Sequence, residues 1–352
     1  MQISDFDYEL PEELIAQEPL GRRDASRMLV VERARGVWRD SSFSELPAEI
    51  AAGDTLVFNN TRVFPARLTG RREPSGGRIE LLLVRQLTES DPHAWETLAR
   101  PARRLERGSR ISFGDGQLRA EVTEVSNEGV RVVRFECEGD FQTLLDEIGQ
   151  TPLPPYIKRG DGQTQPHERL DRERYQTIYA RQRGAIAAPT AGLHFTPRVV
   201  EELRARGARL VELTLHVGYG TFAPVRAVDL SEHRVAPERY SLDAEAASII
   251  NATRAQGGRI VAIGTTTVRA LESAATEDGR VEAQTGETAL TITPGYRFRA
   301  VDALLTNFHL PRSSLLVLVG AFMGRSLALD AYRHAVRSRY RFYSYGDCML
   351  IT

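Results

Sequence analysis

The chain is short of several things. Lys and Arg together number 46 among its 352 residues, yet Lys158 is the only lysine. Nearly all fixed positive charge is therefore arginine, the better fork for phosphate. There are two cysteines, Cys137 and Cys348, far apart and without a CxxC pair. Neither a disulfide framework nor a structural zinc is expected, and a reducing cytoplasm fits. The formal net charge is −1. A surface coating polyanions throughout is excluded, so any nucleic-acid contact has to come from a local basic patch. The longest apolar run, "SLLVLVGAFMG" from Ser314 to Gly324, is too short for a bilayer and reads as a buried helix. The acidic opening "MQISDFDYELPEEL" has no apolar h-region, so neither a signal peptide nor a membrane is expected. HExxH, P-loop, GxSxG and EF-hand patterns are missing, and the histidine spacings do not suggest a metal.

What is present points to two domains, since 352 residues exceed one ordinary core. "YELPEELIAQ" reads as a short helix, and "DTLVFNNTRVFPARL" as a strand entering a polar turn at Asn59-Asn60-Thr61-Arg62. From about Pro65 to Asp140, short β-branched runs alternate with Gly, Asp, Asn and Ser, which predicts a small antiparallel barrel or sandwich. "FQTLLDEIGQ" is a predicted helix, and "TPLPPYIKRGDGQTQPHERLD" a linker or surface loop. Strands and helices alternate afterwards. "PRVVEELRARG" carries Thr196 as N-cap, Pro197 at N1 and Gly207 past its end. Asp243 caps a second helix, Ser313 an apolar third, and "RIVAIG" is a strand followed by a helix from about Thr267. The expected fold class is an α/β core domain, residues 1–64 and 150–352, interrupted by an inserted small antiparallel β-barrel domain, residues 65–149.

Three histidines sit in apolar runs beside turn residues: His194 in "AAPTAGLHFT", His216 in "LTLHVGYGTF" and His309 in "LTNFHLPRSS". They belong either to a well-bonded core or to one shared pocket. His194 lies two residues before a helix N-terminus, which favours its neutral form as a proton acceptor. On the strand from Leu210, alternation puts Glu212, Thr214 and His216 on one polar face, either wet or lining a cavity. The exit from it, with Gly218 and Gly220, permits close approach of backbone to a ligand. "GYGTFA" matches GxGxxA, but Pro224 follows where a helix should open, so a dinucleotide fold is rejected. In "VAIGTTTVRALES" a helix start carries Thr265, Thr266 and Thr267, more hydroxyls than one cap needs, with Arg269 near. Such a terminus suits a carboxylate or phosphate. "ARPARRLERGSR" is either a solvated loop or a phosphate-contacting patch.

"NNTRVFPARL", "PPYIKR", "ERYQTIYA", "AAPTAGLHFT", "LHVGYGTFAPV", "GTTTVRALES", "TNFHLPRSSLL" and "YGDCMLI", in this order, resemble the S-adenosylmethionine:tRNA ribosyltransferase-isomerases of queuosine biosynthesis, the QueA family. The resemblance implies an α/β core with an inserted β-barrel. It implies transfer and isomerisation of the ribosyl part of S-adenosylmethionine onto 7-aminomethyl-7-deazaguanine at a tRNA wobble position, giving epoxyqueuosine and releasing adenine and methionine. The cosubstrate is consumed, no metal is expected, and the partner is that tRNA, met by a cytoplasmic monomer.

Such chemistry needs a general base, help for departing adenine and a dry pocket. The candidates are His194 and His216 first, then His309, with Glu212 orienting His216 or pairing with the sulfonium. Thr265, Thr266, Thr267 and Arg269 are candidates for the methionine carboxylate. Phe195, Phe222 and Phe308 are candidates for stacking on the bases. Asn60, Arg62, Thr190, Gly192, Gly218, Gly220, Thr221 and Asn307 complete the substrate set. Arg103, Arg104, Lys158 and Arg159 are the candidate RNA contacts. Two competing functions remain: a methyltransferase, disfavoured because its Gly-rich loop is the rejected one, and a non-catalytic tRNA-binding module, disfavoured by charge balance.

Overall fold

The computed structural model describes residues 1–352 apart from 89, 127–128, 160–164, 223–224 and 226, with backbone alone at 165–166 and 221–222. In chain order the strands are β1 Arg27–Glu32, β2 Val37–Ser42, β3 Thr55–Asn59, β4 Thr61–Val63, β5 Arg67–Glu73, β6 Arg78–Thr88, β7 Asp91–Arg100, β8 Arg110–Phe113 and β9 Leu118–Val125. They continue with β10 Val130–Cys137, β11 Gln182–Ala185, β12 Arg209–Leu215, β13 Glu238–Leu242, β14 Ile260–Ile263, β15 Gln284–Thr288, β16 Ala303–Asn307 and β17 Cys348–Ile351. The helices are α1 Leu46–Glu49, α2 Phe141–Ile148, α3 Gln165–Arg174, α4 Pro197–Ala205, α5 Ala244–Ala255, α6 Thr265–Ala274, α7 Ser314–Met323 and α8 Arg325–Arg337.

Two compact units result: Met1–Arg62 with Pro154–Gly160 and Arg174–Thr352, and Val63–Leu153 with Asp161–Glu173. The second holds a closed antiparallel barrel in the order β10-β7-β6-β5-β8-β9. Its strands alternate, and Leu68, Ile79, Leu81, Ile111, Leu118, Val122, Val133 and Phe135 are all buried. The segment expected to be only linker or loop contains α3, whose Arg172 faces Asp146 of α2 at 3.8 Å.

The first unit is built on a nine-stranded sheet, β15-β13-β12-β3-β14-β16-β17-β1-β2. β12, β3, β14 and β16 run parallel at its centre. Strands β3, β14 and β16 are buried at every position, as parallel strands covered on both faces must be. One face packs Leu56, Phe58, Val261, Ile263 and Leu305 against Phe195, Val199 and Leu203. Helices α5 and α6 contact β12, β3 and β14. Thr196, Asp243 and Ser313 each accept a bond from the amide three residues on, so all three expected caps form. The expected turn at Asn59–Arg62 is instead a step between two strands, β3 and β4, and α6 starts at Thr265, two residues earlier than expected. No single helix among the described residues is long and apolar enough to cross a membrane; α7 and α8 meet at a bend of 116°.

Candidate active site

At the carboxyl ends of β12, β14 and β16 lies a cleft, the usual place for a ligand in a parallel sheet. It encloses about 520 Å³, part of it open to solvent. Val217 follows β12, Gly264, Thr265 and Thr266 follow β14, and Thr306, Asn307 and His309 end β16. Pro189 and Thr190 enter from the turn after β11, and Tyr156, Tyr343 and Ser344 complete the wall.

Helix α6 opens into this cleft without a side-chain cap. Its N-cap is Gly264 at φ 95°, a left-handed conformation that suits glycine. The threonine run lies inside the first turn, so none of the three acts as the cap. Thr267 donates to the Ile263 carbonyl at 2.7 Å and is fully buried. Thr265 and Thr266 line the cleft, beside first-turn amides that α6 itself leaves unpaired.

The three histidines part company. His309 lines the cleft with Nε2 2.8 Å from Thr306 Oγ1. Burial lowers its pKa from 6.5 to about 3. His194 sits behind the cleft wall, 3% exposed, with Nδ1 2.9 Å from Ser26 Oγ and Nε2 3.3 Å from Asn307 Nδ2. Burial, then the charges of Arg23 and Arg341, lower its pKa to about 4. His216 is half-buried over Gly184, with Nδ1 2.8 Å from Thr61 Oγ1, and burial lowers its pKa too.

Glu212 lies elsewhere, in a groove beside β12 shared with Asn60, Arg181, Asp243 and Glu245. Asn60 donates to Glu212 at 2.9 Å and accepts from Thr214 at 2.7 Å; Arg181 is the ionic partner of Glu212. Arg62 is exposed on β4. Arg269 forms a buried ion pair with Glu238, whose other oxygen accepts from the Gly218 amide at 2.9 Å. Its charge is thereby neutralised beside a second hollow that Gly220 lines. The side chains of Thr221 and Phe222 lie outside the described residues. Gly192 is required by packing: a Cβ there would meet the Tyr179 hydroxyl at 2.0 Å.

Phe195 and Phe308 are wholly enclosed. Phe195 packs edge-on against Phe43 and Phe58, and Phe308 against Tyr332 and Tyr340. Among the described residues, the aromatic rings that reach the cleft are Tyr156 and Tyr343, packed edge to face at 88°. Sequence reasoning missed both. Tyr156 stands in "PPYIKR", one of the motifs quoted above, and that is the one signal it carried. Tyr343 adopts φ 74°, the left-handed region that tyrosine avoids, held by its amide to Phe308 O at 3.0 Å and its carbonyl to Gly346 N at 2.9 Å. Strain of this kind gathers where a fold fixes a side chain for use.

Among the described residues, none of the cleft-lining side chains is Asp, Glu, Lys or Arg. Among the described residues, no three His, Cys, Asp or Glu gather as a metal would need. Arg103 and Arg104 are exposed on a turn whose carbonyls, Ala102 O and Leu105 O, each accept from the buried Arg131 at 2.8 Å. Lys158 pairs with Glu12, and Arg159 donates to Gln17 O at 3.0 Å.

Comparison with known proteins agrees along the whole chain. The model of a family described as queuosine biosynthesis protein matches residues 3–351. An S-adenosylmethionine:tRNA ribosyltransferase-isomerase of Symbiobacterium thermophilum is 53% identical over 352 residues, 100% of both chains. The crystal structure of an S-adenosylmethionine tRNA ribosyltransferase from Thermotoga maritima matches with TM-score 0.56 and 37% identity, covering 99% of this chain and 100% of that one.

Proposed function

Because the chain belongs to the family of queuosine biosynthesis proteins and is a ribosyltransferase-isomerase acting on tRNA with S-adenosylmethionine, we propose that the uncharged cleft is its reaction site. The acceptor in this reading is 7-aminomethyl-7-deazaguanine at the tRNA wobble position. The product is epoxyqueuosine-tRNA, with adenine and methionine released. One observation carries the assignment: Thr190, Thr265, Thr266, Asn307 and His309, distant in sequence, line a single cleft at the carboxyl ends of parallel strands.

The donor is a sulfonium cation, and the described lining of this cleft offers it no carboxylate. The faces of Tyr156 and Tyr343 supply the attraction through their π electrons, which gains weight where water is scarce. Burial raises both phenols' pKa, so they stay neutral. A low-polarity site favours the loss of that charge as methionine departs. The open first turn of α6, with the Thr265 and Thr266 hydroxyls, takes the methionine carboxylate. The attacking aminomethyl group needs its lone pair, so it reacts as the free amine. Moving protons off the sugar and toward adenine falls to His309, the imidazole that lines the cleft.

Arg103, Arg104, Lys158 and Arg159 serve as tRNA phosphate contacts in this proposal. It also takes the protein as a cytoplasmic monomer that works without a metal or a membrane.

The test is a product analysis with S-adenosylmethionine and substrate tRNA. Free adenine with methionine supports the proposal; S-adenosylhomocysteine would mean methylation. In the same assay His309→Gln loses about a hundredfold or more in rate, the scale of a missing acid–base group, whereas His216→Gln stays within a few-fold.

A further inference from the structure

Asn307 raises a question that its place in the cleft does not answer. It is 2% exposed, and among the described residues its Oδ1 is buried without a hydrogen-bond partner. A buried acceptor left open normally costs stability. A half-turn of the amide would aim Oδ1 at the Tyr343 carbonyl, oxygen against oxygen, with nothing donated. The observed orientation instead lets Nδ2 donate to Tyr343 O at 3.0 Å and to His194 Nε2 at 3.3 Å.

That orientation fixes the imidazole in turn. With Nε2 accepting, the ring proton is on Nδ1 and is donated to Ser26 Oγ at 2.9 Å. Ser26 passes its own proton toward the Arg23 carbonyl at 3.4 Å. Every donor in the run from Asn307 through His194 and Ser26 has an acceptor, and the run ends on the Arg23 carbonyl. The one lone-pair centre left over is Asn307 Oδ1, on a residue that lines the cleft. His194 itself lines a different hollow, with Arg23, Ser26 and Arg174.

We propose that His194 is a positioning residue, which holds the Asn307 amide so that Oδ1 accepts a hydrogen bond from an amino group of the bound substrates. This rests on the cleft being the reaction site. The amine that attacks the ribosyl group is the donor that fits: a neutral acceptor binds its N–H and leaves its lone pair free. A buried carboxylate in that place would favour the unreactive ammonium. His194, with both nitrogens engaged and its pKa near 4, remains neutral throughout.

The test compares His194→Gln, His194→Phe, Asn307→Ala and the His194→Phe/Asn307→Ala double variant. The readouts are single-turnover adenine release against pH, thermal melting, and the side-chain amide NMR signal of Asn307. Glutamine can present a carbonyl where Nε2 accepts, so His194→Gln keeps activity within about fivefold and leaves the acid limb of the pH profile unmoved. His194→Phe and Asn307→Ala each lose about fiftyfold, and the double variant loses no more than either, since both break one unit. The Asn307 amide signal shifts in His194→Phe but little in His194→Gln. Losses that multiply in the double variant overturn the proposal, as does an inactive but folded His194→Gln whose acid limb has moved. If the wild-type protein releases no adenine, the reaction assigned to the cleft falls. The Asn307 amide signal then still decides whether His194 sets its orientation.

Discussion

Two hollows flank the same sheet and handle charge in opposite ways. The groove beside β12 collects Glu212, Asp243, Glu245 and Arg181, is broad, and ties its charges to partners or leaves them to water. Among the described residues, the cleft at the ends of β14 and β16 is lined by hydroxyls, one amide, one imidazole and two phenols, and by no charged side chain. Taking an ion out of water is costly unless a partner goes with it, so charge stays where solvent reaches. The cleft instead offers neutral donors and acceptors fixed by the fold, a setting in which a cation can be held loosely and then lost.

The sharpest way to break this contrast is to empty the cleft. Tyr343→Ala removes a ring that lines the cleft and, in the proposed function, meets the sulfonium; kcat/KM for S-adenosylmethionine is expected to fall about fiftyfold, while the protein still melts cooperatively. An unchanged kcat/KM would remove the aromatic wall from the account. Next comes acid stability. His194 and His309 have folded pKa values of about 4 and about 3 against an ordinary 6.5. The unfolded chain therefore binds more protons between these values. Their contribution is complete above pH 6.5 and is lost as pH falls toward 4, on the order of 3 kcal/mol for each at the acid end. Melting curves from pH 7 to 4.5 should fall more steeply for the wild type than for His194→Gln or His309→Gln; parallel curves would contradict the burial argument.

Smaller effects separate the remaining parts. Replacing Thr265 and Thr266 together by valine should raise KM for S-adenosylmethionine about tenfold, with kcat less affected. Arg103→Gln with Arg104→Gln should raise KM for tRNA several-fold, roughly, and flatten its salt dependence, with KM for S-adenosylmethionine unmoved. Glu212→Gln, in the groove, should change turnover by less than about threefold, since its ionic partner Arg181 is mostly exposed and solvent screens the pair. A large loss there would reunite the two hollows in one mechanism.

Much of the fold was legible because it is written locally. Thr196, Asp243 and Ser313 announce their helices, and the alternating runs after Pro65 announce the barrel. α3 was hidden by the polar, proline-rich texture around it. The site was legible only in part. Alternation along β12 separates Glu212 and His216 from Leu213, but it cannot say which hollow a polar face meets. Phe195 and Phe308 look like stacking platforms in sequence, yet aromatic neighbours from remote segments close over them. Tyr343 was invisible for a topological reason. Its loop reaches Asn307 because β17 turns back antiparallel beside β16, and nothing within 36 positions hints at that pairing.

In the proposed reading, ring electrons are what the pocket offers a sulfonium, so a thioether of the same outline forfeits that attraction, on the order of 1 kcal/mol. An amine isostere, protonated at neutral pH where the sulfur would stand and carrying no leaving group, keeps it. The feature that makes departure easy is thus also an opening for inhibitors, and their potency should follow charge at that one position as well as shape.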